Sequence, residues 1–341
     1  MDIKSMTLDE LKDACQQMGE KPFRAKQLYD WMHHRLAGSY DEMTNLSLAF
    51  REKLKEQYPL TCLEKVQVQE SKIDGTRKYL FRLSDGNVIE SVWMKYHHGN
   101  SVCISSQVGC RMGCRFCMTA RQGFAHNLTA GEILNQIRSI PESAQLTNVV
   151  YMGMGEPLDN LDSLLPTLEI LTSAWGFGWS PTRITVSTAG VASRLERFLD
   201  ATQVHLAVSL HNPFPHERAE IMPVEKAWPI REVVEILRRY DFTHQRRVSF
   251  EYIVMSGLND SPRHIRELCR LLDGIKCRIN LIRFHKIPGS PYFSPDDRAM
   301  IAFRDALTAK GIHTTIRTSR GEDIQAACGL LSTAQNETAQ F

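Results

Sequence analysis

From about residue 100 onward the chain alternates short, almost wholly apolar β-rich runs with helical stretches, and this pattern limits the possible folds more than any other feature. The runs are VCISS, NVVYMG, RITVSTAG, VHLAVSLH, VSFEYIVM and INLIRF. A strand with one wet face alternates apolar and polar residues, whereas a strand covered on both faces reads as a continuous apolar run, as in parallel sheets. The helices between the runs begin at recognisable signals: Thr129 with Glu132, Ser261-Pro262, and Ser294-Pro295 followed by acids. Six βα units in succession predict an α/β fold over residues 100–330, a partial (β/α)6 TIM-like barrel in preference to a doubly wound sheet.

Two smaller pieces precede the barrel. Residues 1–70 read as a helical module, opened by a capping box from Thr7 to Glu10 with Leu8, Leu11, Cys15 and Met18 on one face. A second helix carries Phe23, Leu28, Trp31 and Met32, and a third carries Leu46, Phe50 and Leu54 before stopping near Pro59. Residues 71–99 read as a β-hairpin extension: KYLFRL and NVIESVWMKY alternate with period two about Asp85-Gly86, a favoured turn pair. In the second strand Val88, Glu90, Val92 and Met94 share a face, which makes Glu90 a carboxylate on an otherwise apolar side. At a solvated rim it is an ordinary surface charge; buried, its affinity for a proton rises and it becomes a candidate proton acceptor. Residues 331–341 read as a polar tail.

The balance of charge excludes little. A chain of 341 residues with 43% hydrophobic and 23% charged content and a formal net charge of +2 neither demands nor forbids a nucleic-acid partner. Nine cysteines without an apolar leader argue for a reducing compartment, so a cytoplasmic protein without membrane attachment is expected.

Three of those cysteines carry chemistry. Cys110, Cys114 and Cys117 stand as Cys-x-x-x-Cys-x-x-Cys directly after the first strand, without a fourth. Clusters built for electron transfer take four thiolates, so three suggest a cubane with one iron reserved for a ligand. A zinc site is the alternative, but zinc favours Cys-x-x-Cys pairs completed by a second pair or by histidines. The other predicted strand ends are polar too. Gly153–Pro157 (GMGEP) follows the second, Ser187 closes the third, Ser209-Leu210-His211 closes the fourth, and His285 follows the sixth. In βα barrels chemistry collects at that rim, so a shared ligand site is expected there, with glycines allowing close backbone approach and Glu156 offering a carboxylate to an amine.

With SSQVGC-x-x-x-C-x-F-C-x-T, GMGEP and the late RG-x-D-I-x-A-A-C-G in place, the chain resembles the radical S-adenosylmethionine superfamily, and within it the RlmN/Cfr RNA methyltransferases, on the RlmN side. The resemblance runs from FRAKQLYDW to RGEDIQAACG. It implies one 4Fe–4S cluster on Cys110, Cys114 and Cys117, its open iron chelating S-adenosylmethionine, in a pocket lined by Gly155, Glu156, Ser187, Ser209, Leu210, His211 and His285. His285 departs from many relatives, which carry asparagine there. It further implies that Cys328 carries the methyl group, that Glu90 accepts a proton, and that Cys103 resolves a covalent protein–RNA intermediate through a transient disulfide with Cys328.

The implied reaction is methylation of adenine carbon 2 in 23S rRNA and in tRNA beside the anticodon, with an electron donor such as flavodoxin and a monomeric enzyme. An adenine ring carbon resists polar methyl transfer, which makes sense of a radical cofactor joined to a nucleophilic thiol. The helical module is the implied RNA-binding accessory domain. There Arg24, Lys26, His33, His34 and Arg35 suit phosphates, and Trp31 suits either a base or the core. The alternatives are a Cfr-type carbon-8 methyltransferase, which shares every residue named, a non-catalytic iron–sulfur RNA-binding regulator, and a radical enzyme acting on a peptide or small molecule.

Overall fold

The structure, a computed structural model, describes residues 2–97, 99–243 and 246–332. The first helices form where the sequence signals them. α1 (Leu8–Gln17) starts at the Thr7 capping box, Thr7 N–H donating to Glu10 at 2.7 Å, and it buries Leu11, Ala14 and Cys15. α2 (Phe23–Tyr29) runs into a wider π turn at Asp30–His34, and α3 (Leu48–Gln57) is capped by Ser47. Phe23, expected on the packed side, is half exposed, while Leu28 and Met32 are fully buried.

The module is tied to the barrel by buried polar bonds as well as apolar packing. Lys4 Nζ donates to the Thr61 carbonyl at 2.5 Å and to Asn135 Oδ1 at 3.3 Å, and Arg138 reaches the Ala37 carbonyl at 3.1 Å.

A strand replaces the expected end of the helical module. β1 (Glu64–Glu70) pairs antiparallel with β2 (Arg77–Arg82), so the helical reading to residue 70 was too long. The period-two signal in EKVQVQE is real but weak, because β1 is a mostly exposed edge strand with Glu64, Lys65 and Glu70 along it. β2 and β3 (Val88–Tyr96) form the expected hairpin, with Gly86 at φ +89° in the turn.

β3 pairs antiparallel with β4 (Gly99–Cys103), and there the sheet changes character. β5 (Gln107–Gly109) and β6 (Phe124–Asn127) form a separate two-stranded hairpin flanking α4 (Met118–Gln122). Then α5 (Ala130–Arg138), β7 (Leu146–Tyr151), α6 (Leu161–Thr172), β8 (Ile184–Thr188), α7 (Ala192–Ala201) and β9 (His205–Ser209) alternate. They are followed by α8 (Pro215–Ile221), α9 (Ile230–Arg238), β10 (Val248–Val254), α10 (Pro262–Leu272), β11 (Cys277–Arg283), α11 (Asp297–Ala309) and β12 (His313–Ile316).

The sheet order is β1-β2-β3-β4-β7-β8-β9-β10-β11-β12, and from β4 onward every neighbouring pair is parallel. Each parallel strand lies beside its predecessor without the reversal of a doubly wound sheet, which is the winding of an unclosed barrel. It has a seventh parallel strand where six were expected. β12 escaped notice because HTTI is four residues long and has a single aliphatic residue. α11 begins after Asp296 and not at Ser294, since the Asp296 carboxylate accepts from Ala299 N–H at 2.8 Å. From residue 333 on, the expected polar tail lies outside the described residues.

Candidate active site

Everything chemical gathers where the parallel strands end. After β4 the chain enters the cysteine loop, whose shape is held by backbone bonds: Cys110 N–H to Gly123 O at 2.8 Å and Cys117 N–H to Cys114 O at 3.2 Å. The segment bearing Cys328 is laced onto the same loop. Met118 N–H donates to Gly329 O at 2.8 Å, and the Thr119 hydroxyl donates to Leu331 O at 2.7 Å. A sequence separation of more than 200 residues is thus closed by two bonds.

Cys110, Cys114, Cys117 and Cys328 line one cleft of about 900 Å³, together with Gly153, Gly155, Glu156, Ser187, Ser209 and His211. Burial pushes the Cys110 thiol up to about 12 and raises Cys114 and Cys117, each further opposed by the charges of its neighbours. Thiols so placed ionise only when a positive centre arrives, as thiolate ligands of metals do. Among the described residues no three Cys, His, Asp or Glu side chains are close enough to grip a single ion. Tetrahedral zinc needs thiolates about 3.8 Å apart, whereas a cubane spreads its thiolates over separate irons. Three thiols without a fourth thiol or a histidine at zinc spacing suit a cluster better than a structural zinc.

The GMGEP turn is packed more tightly than a ligand alone requires. A side chain on Gly153 would stand 2.7 Å from Ile104 O, and one on Gly155, at φ +99°, 2.5 Å from Gln107 Cβ. The close approach these glycines permit is to the stretch leading into the cysteine loop, so they fix the turn against it. Glu156 is buried and already accepts two backbone N–H groups, Ala189 at 2.7 Å and Leu158 at 3.0 Å. Burial pushes its carboxyl up to about 7 despite those bonds.

His211 occupies a left-handed backbone conformation, φ +52°, of the kind that collects at functional sites. Its Nδ1 accepts from Ile253 N–H at 2.9 Å, which leaves the proton on Nε2. Burial, with the Arg218 charge, depresses it to about 3, so the ring is a neutral donor. Leu210 does not line the cleft. It is fully buried and contributes through its backbone, donating to Glu251 O at 3.0 Å.

A second cavity of about 570 Å³ adjoins the first, and Met152, Ile282, Arg317, Cys328 and Leu331 line both. It holds Cys103 with Cys328, so the structure brings that pair into one chamber. Both are free thiols, as are all nine cysteines, so no disulfide is present. Burial, then the Cys328 charge, pushes Cys103 up to about 12. His285 also lies in this second cavity and not in the first, its Nε2 3.2 Å from Ser319 Oγ. Glu90 lies in neither. It is completely buried beside Lys78, and its Oε2 accepts from Ser332 N–H at 2.8 Å, four residues past Cys328.

Several residues here escaped the sequence reading. Arg218 is wholly buried and donates to the carbonyls of Ala189, Ser209 and Leu210 while pairing with Glu225, clamping the ends of β8 and β9. Glu251 accepts from Asn280 at 2.7 Å and holds Arg317 at 3.4 Å. Burial works against the Arg317 charge, yet Cys328 and Glu251, with Tyr96 and Cys103, keep it raised. Glu251 carried one usable signal, a lone charge inside the apolar run VSFEYIVM.

An unclosed parallel barrel with three cluster thiols beside a Gly-Glu turn defines a radical S-adenosylmethionine enzyme, a class that uses a 4Fe–4S cluster, and residues 104–272 match the radical SAM superfamily model. Residues 1–59 match the ribosomal RNA large subunit methyltransferase N-terminal domain. The "Probable dual-specificity RNA methyltransferase RlmN" of Parabacteroides distasonis is 54% identical over 336 residues, covering 98% of each chain. The protein of that name from Porphyromonas gingivalis is 55% identical over 338 residues, covering 99% of this chain and 98% of its own. A solved radical SAM methyltransferase from Sphaerobacter thermophilus superposes with a TM-score of 0.91 at 40% identity, covering 97% of this chain and 99% of its own. The chain belongs to the RlmN family.

Proposed function

We propose that this protein methylates carbon 2 of an adenosine in 23S rRNA and of the adenosine beside the anticodon in tRNA. Cys328, set in the wall between the cluster cleft and the chamber holding Cys103, carries the cysteine-borne methyl transfer, and the RlmN relatives support the choice of carbon 2 and of both RNAs. Cys110, Cys114 and Cys117 hold the cluster, and Gly155, Glu156, Ser187, Ser209 and His211 border the space beside it. When bound, the cluster and S-adenosylmethionine supply a methyl group and a 5′-deoxyadenosyl radical.

Cys328 does the carrying. Its thiolate takes the methyl group by displacement, the S-methyl carbon then gives up one hydrogen atom, and the resulting carbon radical adds to the adenine ring. Arg317 lies between the two cavities as a cation facing the thiols. The adduct loses one electron and the ring proton, which Glu90 takes; Cys103 then attacks the Cys328 sulfur, forming a disulfide as the carbon–sulfur bond to RNA breaks and the freed carbon takes a proton. His285 borders the chamber and not the cleft, which suits a contact to a ligand spanning both.

RNA recognition is assigned to the helical module, with the barrel contributing at its border. Arg24 lies 4.9 Å from the half-exposed Phe23 ring, and Lys26 lies 4.4 Å from the exposed Trp175 ring of the barrel. Such cation–aromatic pairs offer phosphate affinity and a stacking face together. Trp31 is less available: its Nε1 donates to Asn45 at 2.6 Å and Arg35 covers its ring at 4.4 Å. Flavodoxin as electron donor, a monomeric state and a cytoplasmic location belong to the same reading. No helix of the described residues is long and apolar enough to cross a membrane.

The test is mass spectrometry of adenosines from 23S rRNA and tRNA after anaerobic incubation with the reconstituted enzyme. The reading expects 2-methyladenosine. Finding 8-methyladenosine assigns the carbon-8 reaction instead, and finding neither overturns the assignment.

A further inference from the structure

The hairpin hides a second charge that the reaction above does not use. Lys78 on β2 sits diagonally across from Glu90 on β3, since Leu80 is the residue opposite Glu90 and Lys78 is opposite Val92. Its Nζ is 3.1 Å from Glu90 Oε1, and the two side chains are only 8% and 0% exposed. Gln67 and Gln69 of β1, with Leu80, pack around the pair. Val92 is in turn the partner of Cys103, so Lys78, Val92 and Cys103 form one row across three strands. The row leads from the ion pair into the chamber of the two thiols.

A stabilising role does not account for this arrangement. Stripping water from two charges costs about as much as their attraction returns, and an apolar pair of similar volume serves a buried sheet face at least as well. What the pair does secure is the ionised form of the acid. A carboxyl group shut away from water holds its proton, and a protonated acid cannot accept another. An ammonium at hydrogen-bond distance opposes that tendency. The Ser332 N–H, donating to the other oxygen, orients the group from the segment that bears Cys328.

We propose that Lys78 is a positioning residue for proton removal, its ammonium holding Glu90 as an oriented carboxylate until the RNA adduct presents the ring hydrogen. The inference rests on the reading of Glu90 as the acceptor. In the step concerned the ring C–H bond breaks, the proton passes to the Glu90 carboxylate, the bonding pair stays with the ring, and the adduct gives up its one surplus electron to the enzyme's 4Fe–4S cluster. Lys78 neither gives nor takes a proton, and it touches no reacting atom.

The test uses the reconstituted holoenzyme with its RNA and four proteins: wild type, Lys78→Met, Lys78→Arg and Glu90→Gln. Three quantities are read: methylation of Cys328 by peptide mass spectrometry, the covalent protein–RNA adduct on denaturing gels, and the rate of product release. Methylation of Cys328 precedes the proton step and needs neither residue. Lys78→Met is expected to keep it, to accumulate adduct, and to release product about 100-fold more slowly, the lower range for a positioned base. Lys78→Arg, which keeps a cation, is expected to recover most of the release rate. Release from Lys78→Met at the wild-type rate overturns the proposal, as does failure of Lys78→Arg to rescue it, or loss of Cys328 methylation in Lys78→Met. Glu90→Gln separates the two layers. If it releases product normally, the reading of Glu90 fails; if it stalls while Lys78→Met does not, only the role of Lys78 fails.

Discussion

Arg218→Met is expected to destabilise the folded chain by about 3–5 kcal/mol, the usual cost of removing one partner from a buried ion pair. The figure follows from what the guanidinium holds. Its side chain is wholly buried, it pairs with a Glu225 side chain only 4% exposed, and it donates to three carbonyls, Leu210 at 3.0 Å and Ala189 and Ser209 at 2.8 Å. Methionine fills much of the volume but donates to none of them. Glu225 then keeps only the Ile230 N–H, at 2.9 Å, against a buried negative charge. Set against a total stability of about 5–15 kcal/mol, the loss is a large fraction. Equilibrium urea unfolding of the reduced apoprotein, followed by far-ultraviolet circular dichroism, measures it. The double variant Arg218→Met with Glu225→Met removes both charges, and it is expected to be more stable than the single variant. A single variant within about 1 kcal/mol of wild type, or a double variant no better than the single one, refutes the idea that an unpaired buried charge dominates.

Further expectations concern two glycines, a buried histidine and the paired thiols. Gly155→Ala forces a methyl group to 2.5 Å from Gln107 Cβ at φ +99° and is expected to cost about 2 kcal/mol or more in thermal unfolding. Gly178→Ala, at φ +66° with open space around it, is expected to cost about 1 kcal/mol. Acid lowers stability through His211, whose folded-state pKa is depressed to about 3. The unfolded chain binds the proton first as pH falls below about 6.5, so this contribution is full above that pH and falls by about 1.4 kcal/mol at pH 5.5. A His211→Asn variant whose urea midpoint falls between pH 7 and 5.5 by as much as that of the wild type contradicts it. Cys103→Ala is expected to trap a covalent protein–RNA adduct on denaturing gels, whereas Cys328→Ala is expected to yield neither adduct nor methylated RNA.

The barrel was legible because burial on both faces leaves an unbroken apolar trace, as in NVVYMG and VSFEYIVM, and because helix starts such as Thr129 with Glu132 are local chemistry. β12 and β1 were lost for opposite reasons: β12 is too short to show a pattern, and β1 is too exposed to need one. The cysteine loop and the GMGEP turn were readable as motifs, but not that the turn's glycines pack against Ile104 and Gln107. Arg218, Lys78 and Arg317 left no local trace. For Lys78 and Arg317 the partners are brought in by strand register and by sheet neighbours distant in sequence. Glu225 stands only seven residues after Arg218, but nothing local shows that this pair is buried. The separation of His285 from the cleft is likewise a matter of which chamber the loop after β11 faces.

The claim that a cysteine sulfur ferries the carbon is tested most directly by isotope counting. With S-adenosylmethionine trideuterated on its methyl group, the adenosine product should retain two deuterium atoms, because one is removed while the carbon rides on Cys328. A product methyl group that keeps all three contradicts the account.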